Sequence, residues 1–201
     1  MPETTPSFAP FQADESGPIP SREECFSYWD RYQMLPQIRD HSLLVAVVAL
    51  QIAEMARSKG CSVSRRLVEA AALLHDLAKT YTIRYGGNHS QLGGAWVVDL
   101  TGNLAVAQAV IHHVHWPGEI NLQKHLLPLL ILYADKRIKH DRIVSIEDRF
   151  EDLFVRYGIN DHRIKMMQRS LKQTQAIENK LSQVLEVDLN AYPFDSRGMV
   201  Q

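Results

Sequence analysis

From His41 onward the apolar residues Leu44, Val45, Val48, Ile52 and Met55 recur three, four, seven, eleven and fourteen positions along the chain. That spacing lines one face of a helix with about 3.6 residues per turn, and it never gives the alternation that a half-buried strand requires. The same signal returns in segment after segment, and no alternating strand pattern persists anywhere in the 201 residues. A chain built this way has one way to bury its apolar surface, by packing helices on helices.

The helix signals can be placed individually. Ser21 with Glu24 forms a capping-box pattern that opens a short helix running to about Met34. Gly60 closes the segment that starts near His41, and Ser64 caps a next helix whose Leu67, Ala70, Ala71, Leu74 and Ala78 share a face. "RYGGNHSQLGGA" (84–95) reads as a Gly-rich loop running into a helix start. Further helices are expected over Leu104 to His115, over Leu126 to about Lys139, after the Ser145 and Asp148 cap, and from Asp161 to Glu186. Pro128 is tolerable only in the first turn of its helix. The five prolines of residues 1–20 suggest a loose leader, 21–187 one helical domain, and 188–201 a tail. The fold class expected is all-α, in a single domain without internal repeats. The long final helix can pack on its own core, the preferred reading, or mediate a homodimer.

Several functions are excluded by composition. With 22 basic against 23 acidic residues there is no excess of positive charge for sequence-independent nucleic-acid binding. The apolar runs Leu43 to Leu50 and Leu126 to Ala134 are far shorter than the roughly 18 residues of a membrane span. Cys25 and Cys61 are the only cysteines and form no CxxC pair, so a cytoplasmic protein without a thiolate metal site is expected. No G-x-S-x-G elbow surrounds Ser42 or Ser90, which removes a serine hydrolase.

The chain's nine histidines are unusual in falling mostly within one region. His41 heads the apolar stripe of its helix, and His75 lies with Leu74, Ala71 and Leu67. Asp135 shares a face with Ile131, Leu132 and Pro128, where an unpaired carboxylate would be very costly. A cation must meet it, and a metal ion is the strongest candidate. His and Asp together, without thiolate, suit Mn, Fe, Co, Zn or Mg. His75 and Asp76 stand about 100° apart on a helix, and both can reach one ion in the groove between them.

His41, His75-Asp76 and Asp135, on separate helices, resemble the H…HD…D pattern of the HD superfamily of metal-dependent phosphohydrolases. "HDLAK" is similar to that family's HD-x-x-K form, and "YADKRI" (133–138) resembles its final Asp motif. The likeness spans roughly residues 36 to 145. It implies a metal held by His41, His75, Asp76 and Asp135, with Asp76 and Lys79 as catalytic residues. Lys79 would hold a substrate phosphate or orient the attacking water; the alternative is a plain helix-end cation. His89, ahead of "SQLGGA", and His112-His113, closing "AVAQAVIHHVH", resemble the additional ligands of two-metal members and would share Asp76. One or two divalent ions per chain remain open. His115 is left as a helix-end or cleft-wall residue. His140-Asp141 in "HDRIV" follows the last ligand on a charged face and is read as solvated surface.

The resemblance implies hydrolysis of a small phosphorylated substrate, a nucleotide or related phosphoester or phosphoanhydride. Cyclic-dinucleotide hydrolysis is disfavoured because "HHVHWPGE" lacks the Gly-Tyr-Pro signature of that branch. The alternative is a non-catalytic metal- or nucleotide-sensing module, against which the intact Asp76, Asp135 and Lys79 argue.

Overall fold

The computed structural model describes residue 13 and residues 17–196. Most of the expected leader, and residues 197–201 of the expected tail, lie outside the described residues. The protein is all-α apart from one small hairpin.

Helix α1 (Arg22–Arg31) starts at the expected capping box: Ser21 Oγ accepts from the Glu24 amide at 3.2 Å, and Glu24 Oε2 accepts from the Ser21 amide at 2.7 Å. Helix α2 (Pro36–Ser58) begins five residues before His41, because Pro36 fits the first helical position, where no amide donor is needed. Helix α3 (Arg65–Leu74) is capped by Ser64 and stops sooner than its apolar stripe suggests. Residues 75–78 form a turn, and a new short helix, α4 (Lys79–Tyr85), follows. The continuous helix expected through Ala78 is therefore corrected to two helices broken at His75-Asp76.

Asn88 and Asn103 cap α5 (His89–Thr101) and α6 (Leu104–His112), each side chain accepting from backbone amides of the first turn. These two helices approach closely because α5 carries glycine where they meet. A Cβ on Gly94 would lie 2.2 Å from Ile111 Cγ1, and one on Gly93 would lie 3.1 Å from Val110 Cγ1. That approach fixes the first residue of α5 relative to the end of α6, which matters for the site below.

Helix α7 (Leu122–Lys136) is interrupted at His125, whose φ of −136° and ψ of 36° are not helical. Pro128 thus falls in the first turn of the regular segment that follows, the one place where a ring without an amide donor costs little. β1 (Ile138–Lys139) and β2 (Arg142–Ile143) then make an antiparallel hairpin. Helix α8 (Ile146–Tyr157) starts at the Ser145 cap, and α9 (Asp161–Leu185) closes the fold. Thr174, Ile177, Leu181 and Leu185 bury one face of α9 against the chain's own core. After it, Leu189 is fully buried, its carbonyl accepts from Arg137 at 2.5 Å, and Asp195 exchanges two hydrogen bonds with Gln51. The described part of the expected tail is therefore packed onto α2 and α7.

α2, α3, α6 and α7 form the centre, with Val45, Val48, Ile52, Leu73, Leu74, Val106, Leu129 and Leu130 excluded from solvent. Trp29 of α1 closes one side and donates its indole N–H to the Leu73 carbonyl at 2.8 Å. Among the described residues, no helix is long and apolar enough to cross a membrane.

Candidate metal centre

His75 and Asp76 sit in the turn that follows α3. Neighbouring side chains diverge by about 100° on a helix, yet His75 Nε2 and Asp76 Oδ2 lie 3.5 Å apart and look into the same space. Helix α2 delivers His41 to that space in its second turn, and α7 delivers Asp135 in its last. His41 Nε2 is 2.9 Å from Asp135 Oδ1 and 4.0 Å from Asp76 Oδ2, while His75 Nε2 is 3.7 Å from Asp135 Oδ1. One donor atom each from His41, His75 and Asp135 all fall within 4.8 Å of one another.

A second group meets the other oxygen of the same carboxylate. His89, the first residue of α5, places Nε2 3.3 Å from Asp76 Oδ1; His113, just after α6, places Nε2 3.5 Å from it. The two imidazole nitrogens are 3.1 Å apart. Donor atoms of His75, Asp76 and His113 also fall within 4.8 Å of one another. Asp76 is thus the junction, with one oxygen toward each group.

The tautomers follow from the partners. His75 Nδ1 and His113 Nδ1 each lie 2.7 Å from a backbone carbonyl, those of Ala72 and Val110, and a carbonyl only accepts. Both Nδ1 atoms therefore carry a proton, and in its neutral form each ring turns a bare Nε2 lone pair toward carboxylate oxygens. Lone pair facing lone pair is unfavourable unless a cation stands between them. His75 Nε2 is fully buried and has no hydrogen-bond partner. That orphaned nitrogen, with its carboxylate neighbours, fits a divalent metal ion.

The charge states agree. Burial alone would raise the Asp76 carboxyl, but the Lys79 ammonium and His75 hold it well below the ordinary value. Burial also opposes the Asp135 anion, and Lys136 and His41 overcome it. Burial lowers His41 and His113, and takes His89 down to about 3. Burial works against the His75 cation too, yet the Asp76 and Asp135 carboxylates raise it above its usual value, the mark of a place that calls for positive charge.

Of the residues singled out in the sequence, His41, His75, Asp76, Asp135, His89 and His113 are brought together, and Lys79 joins them through Asp76 at 3.0 Å. Lys79 opens a new helix, so it meets Asp76 instead of sharing a face with His75. His112 is not among them. It is the last residue of α6, and its ring sits edge-on to Trp116 with centroids 5.2 Å apart. His112 is therefore not brought into the two donor groups, while His115 is exposed. His140 occupies the hairpin turn, exposed, 3.6 Å from Asp152, in keeping with a solvated "HDRIV" segment. Neither cysteine takes part: burial and the nearby Glu69 push the Cys25 thiol up to about 12, too high for a ligand or nucleophile. Sequence reasoning missed Lys136, which is buried and bonded to Asp135. Its only sequence signal is position, directly after the Asp of "YADKRI".

The family model for the HD domain matches residues 38–153, more than half of the chain, and the match contains the whole cluster. No curated protein and no solved structure matches the chain significantly.

Proposed function

The chain belongs to the HD domain family, and from that premise we propose that it is a metal-dependent phosphohydrolase acting on a nucleotide or a related small phosphoester or phosphoanhydride. The observation that carries this reading is Asp76, whose two oxygens face two separate sets of imidazole nitrogens across distances of 3.3 to 4.0 Å. His41, His75, Asp76 and Asp135 would hold one divalent ion, and His89 with His113 would complete a second place around Asp76. An ion held there supplies Lewis-acid polarisation of a phosphoryl oxygen and lowers the pKa of water.

The chain's own charges favour a phosphate. Asp76 and Asp135 contribute two negative charges, and Lys79 and Lys136 contribute two positive ones. Four imidazoles add none while neutral. The protein frame is therefore balanced, and any bound dication leaves a positive surplus that a phosphoryl dianion offsets. Lys79 is the residue able to grip it. Its side chain is 39% exposed, so its ammonium can leave Asp76 for a substrate oxygen. The surrounding Leu73, Leu74, Leu77 and Val110 are closed to solvent and keep the local dielectric low, which strengthens each of these contacts. Cys25 and Cys61 are unpaired, in keeping with a cytoplasmic setting.

The test is elemental analysis of protein purified without chelator, followed by phosphate release from a panel of nucleotides with Mn, Fe, Co, Zn or Mg. Bound metal with release from at least one nucleotide supports the proposal. Bound metal without any release points to the non-catalytic sensing module instead. Lys79→Ala should keep its metal content and lose about 10²-fold in turnover, since a group that grips the phosphate acts in the transition state. A drop in bound metal would make Lys79 a structural partner of Asp76.

A further inference from the structure

Lys136 is the last residue of α7 and only 8% exposed, an unusual place for an ammonium. Its Nζ donates to Asp135 Oδ2 and to the His113 carbonyl, the latter at 3.4 Å. Asp135 is thereby divided: Oδ1 faces His41 and His75, and Oδ2 is taken by the lysine. A fixed positive charge beside a cluster suited to cations opposes metal binding. Packing does not require it, because an apolar side chain of similar length would fill the same volume without repulsion.

We infer that Lys136 is a positioning residue that confines Asp135 to one-oxygen ligation. With Oδ2 occupied, Asp135 would offer a bound ion one oxygen in place of two, and the ion would be held less tightly. Lys79 and Lys136 then divide two tasks. Lys79 is half-exposed and free to follow the substrate, whereas Lys136 is buried and tethered to the backbone of His113. That tether also joins a ligand of the first group to a ligand of the second. The inference rests on the reading of the cluster as a metal centre.

The experiment is calorimetric titration of Mn²⁺ into the metal-stripped full-length chain. Lys136→Met should bind its first Mn²⁺ at least about tenfold more tightly than the parent, because a nearby positive charge is gone and Oδ2 is released to the ion. Lys136→Arg, which keeps the charge, should stay within about threefold. X-ray absorption on the Mn²⁺-loaded proteins should show one more oxygen ligand in Lys136→Met than in the parent. A merely structural lysine gives the opposite result, with weaker binding in Lys136→Met, and that outcome or unchanged affinity overturns the inference. Should Lys136→Met fail to fold, Lys136→Leu is read in its place against the same expectations. Absence of Mn²⁺ binding by the parent chain removes the metal reading itself; binding by the parent without tightening in the variant removes only the role of Lys136.

Discussion

Asp76→Ala should give a folded protein that holds no divalent ion and hydrolyses its substrate at least about 10⁴-fold more slowly than the parent. Each of the two donor groups loses its shared oxygen at once. The first is left with His41, His75 and one oxygen of Asp135; the second is left with His89 and His113 alone. Two neutral imidazoles without a carboxylate make a poor site for a hard dication. The fold should survive, because it is held by apolar contacts among α2, α3, α6 and α7 that do not involve Asp76. Removing the anion strands the Lys79 ammonium, but that side chain reaches solvent and can rehydrate. Asp76→Asn should behave alike, since the amide keeps the shape and loses the charge. Elemental analysis, phosphate release and a thermal melt on the same preparations decide the matter. Full metal content in Asp76→Ala would remove Asp76 from the centre of the site.

Much of this was legible in the sequence because the physics was local. The caps Ser21, Ser64 and Ser145 each accept from the amide three residues on, and such bonds depend only on neighbours. The inward direction of His41 and Asp135 followed from the apolar stripes they share, and burying an Asp demanded a cation. Other features depend on contacts distant in sequence. Residues 75–78 contain neither Gly nor Pro, and helix propensity alone carries the helix through Ala78. The break becomes visible only once His75 and Asp76 are seen among residues from α2, α5 and α7. Separating His112 from His113 needed the exact end of α6, since one residue there decides which ring meets Asp76 and which meets Trp116. Lys136 looked like an ordinary cation at a helix C-terminus, and its burial arises from the backbone of His113, 23 residues away.

The two-ion reading is tested on the same separation. His89→Ala combined with His113→Ala should halve the metal bound per chain, from two ions to one, in protein loaded to saturation with a single divalent metal. Both imidazoles that face Asp76 Oδ1 disappear, while His41, His75, Asp76 Oδ2 and Asp135 remain on other segments. Turnover should fall about 10²- to 10³-fold, because two ions about 3.5–4 Å apart clamp both the attacking and the leaving oxygen and one ion cannot. His112→Ala is the internal control: its ring lies on Trp116, so it should keep both ions and cost only packing. If His89 and His113 instead contact substrate alone, the double variant keeps its full metal content and its KM rises. A single ion per chain in fully loaded parent protein ends the two-ion reading at once. In that case Asp76 Oδ1 and the two imidazole nitrogens, 3.1 Å apart, must be satisfied by protons, and activity should then depend on how His89 and His113 share them.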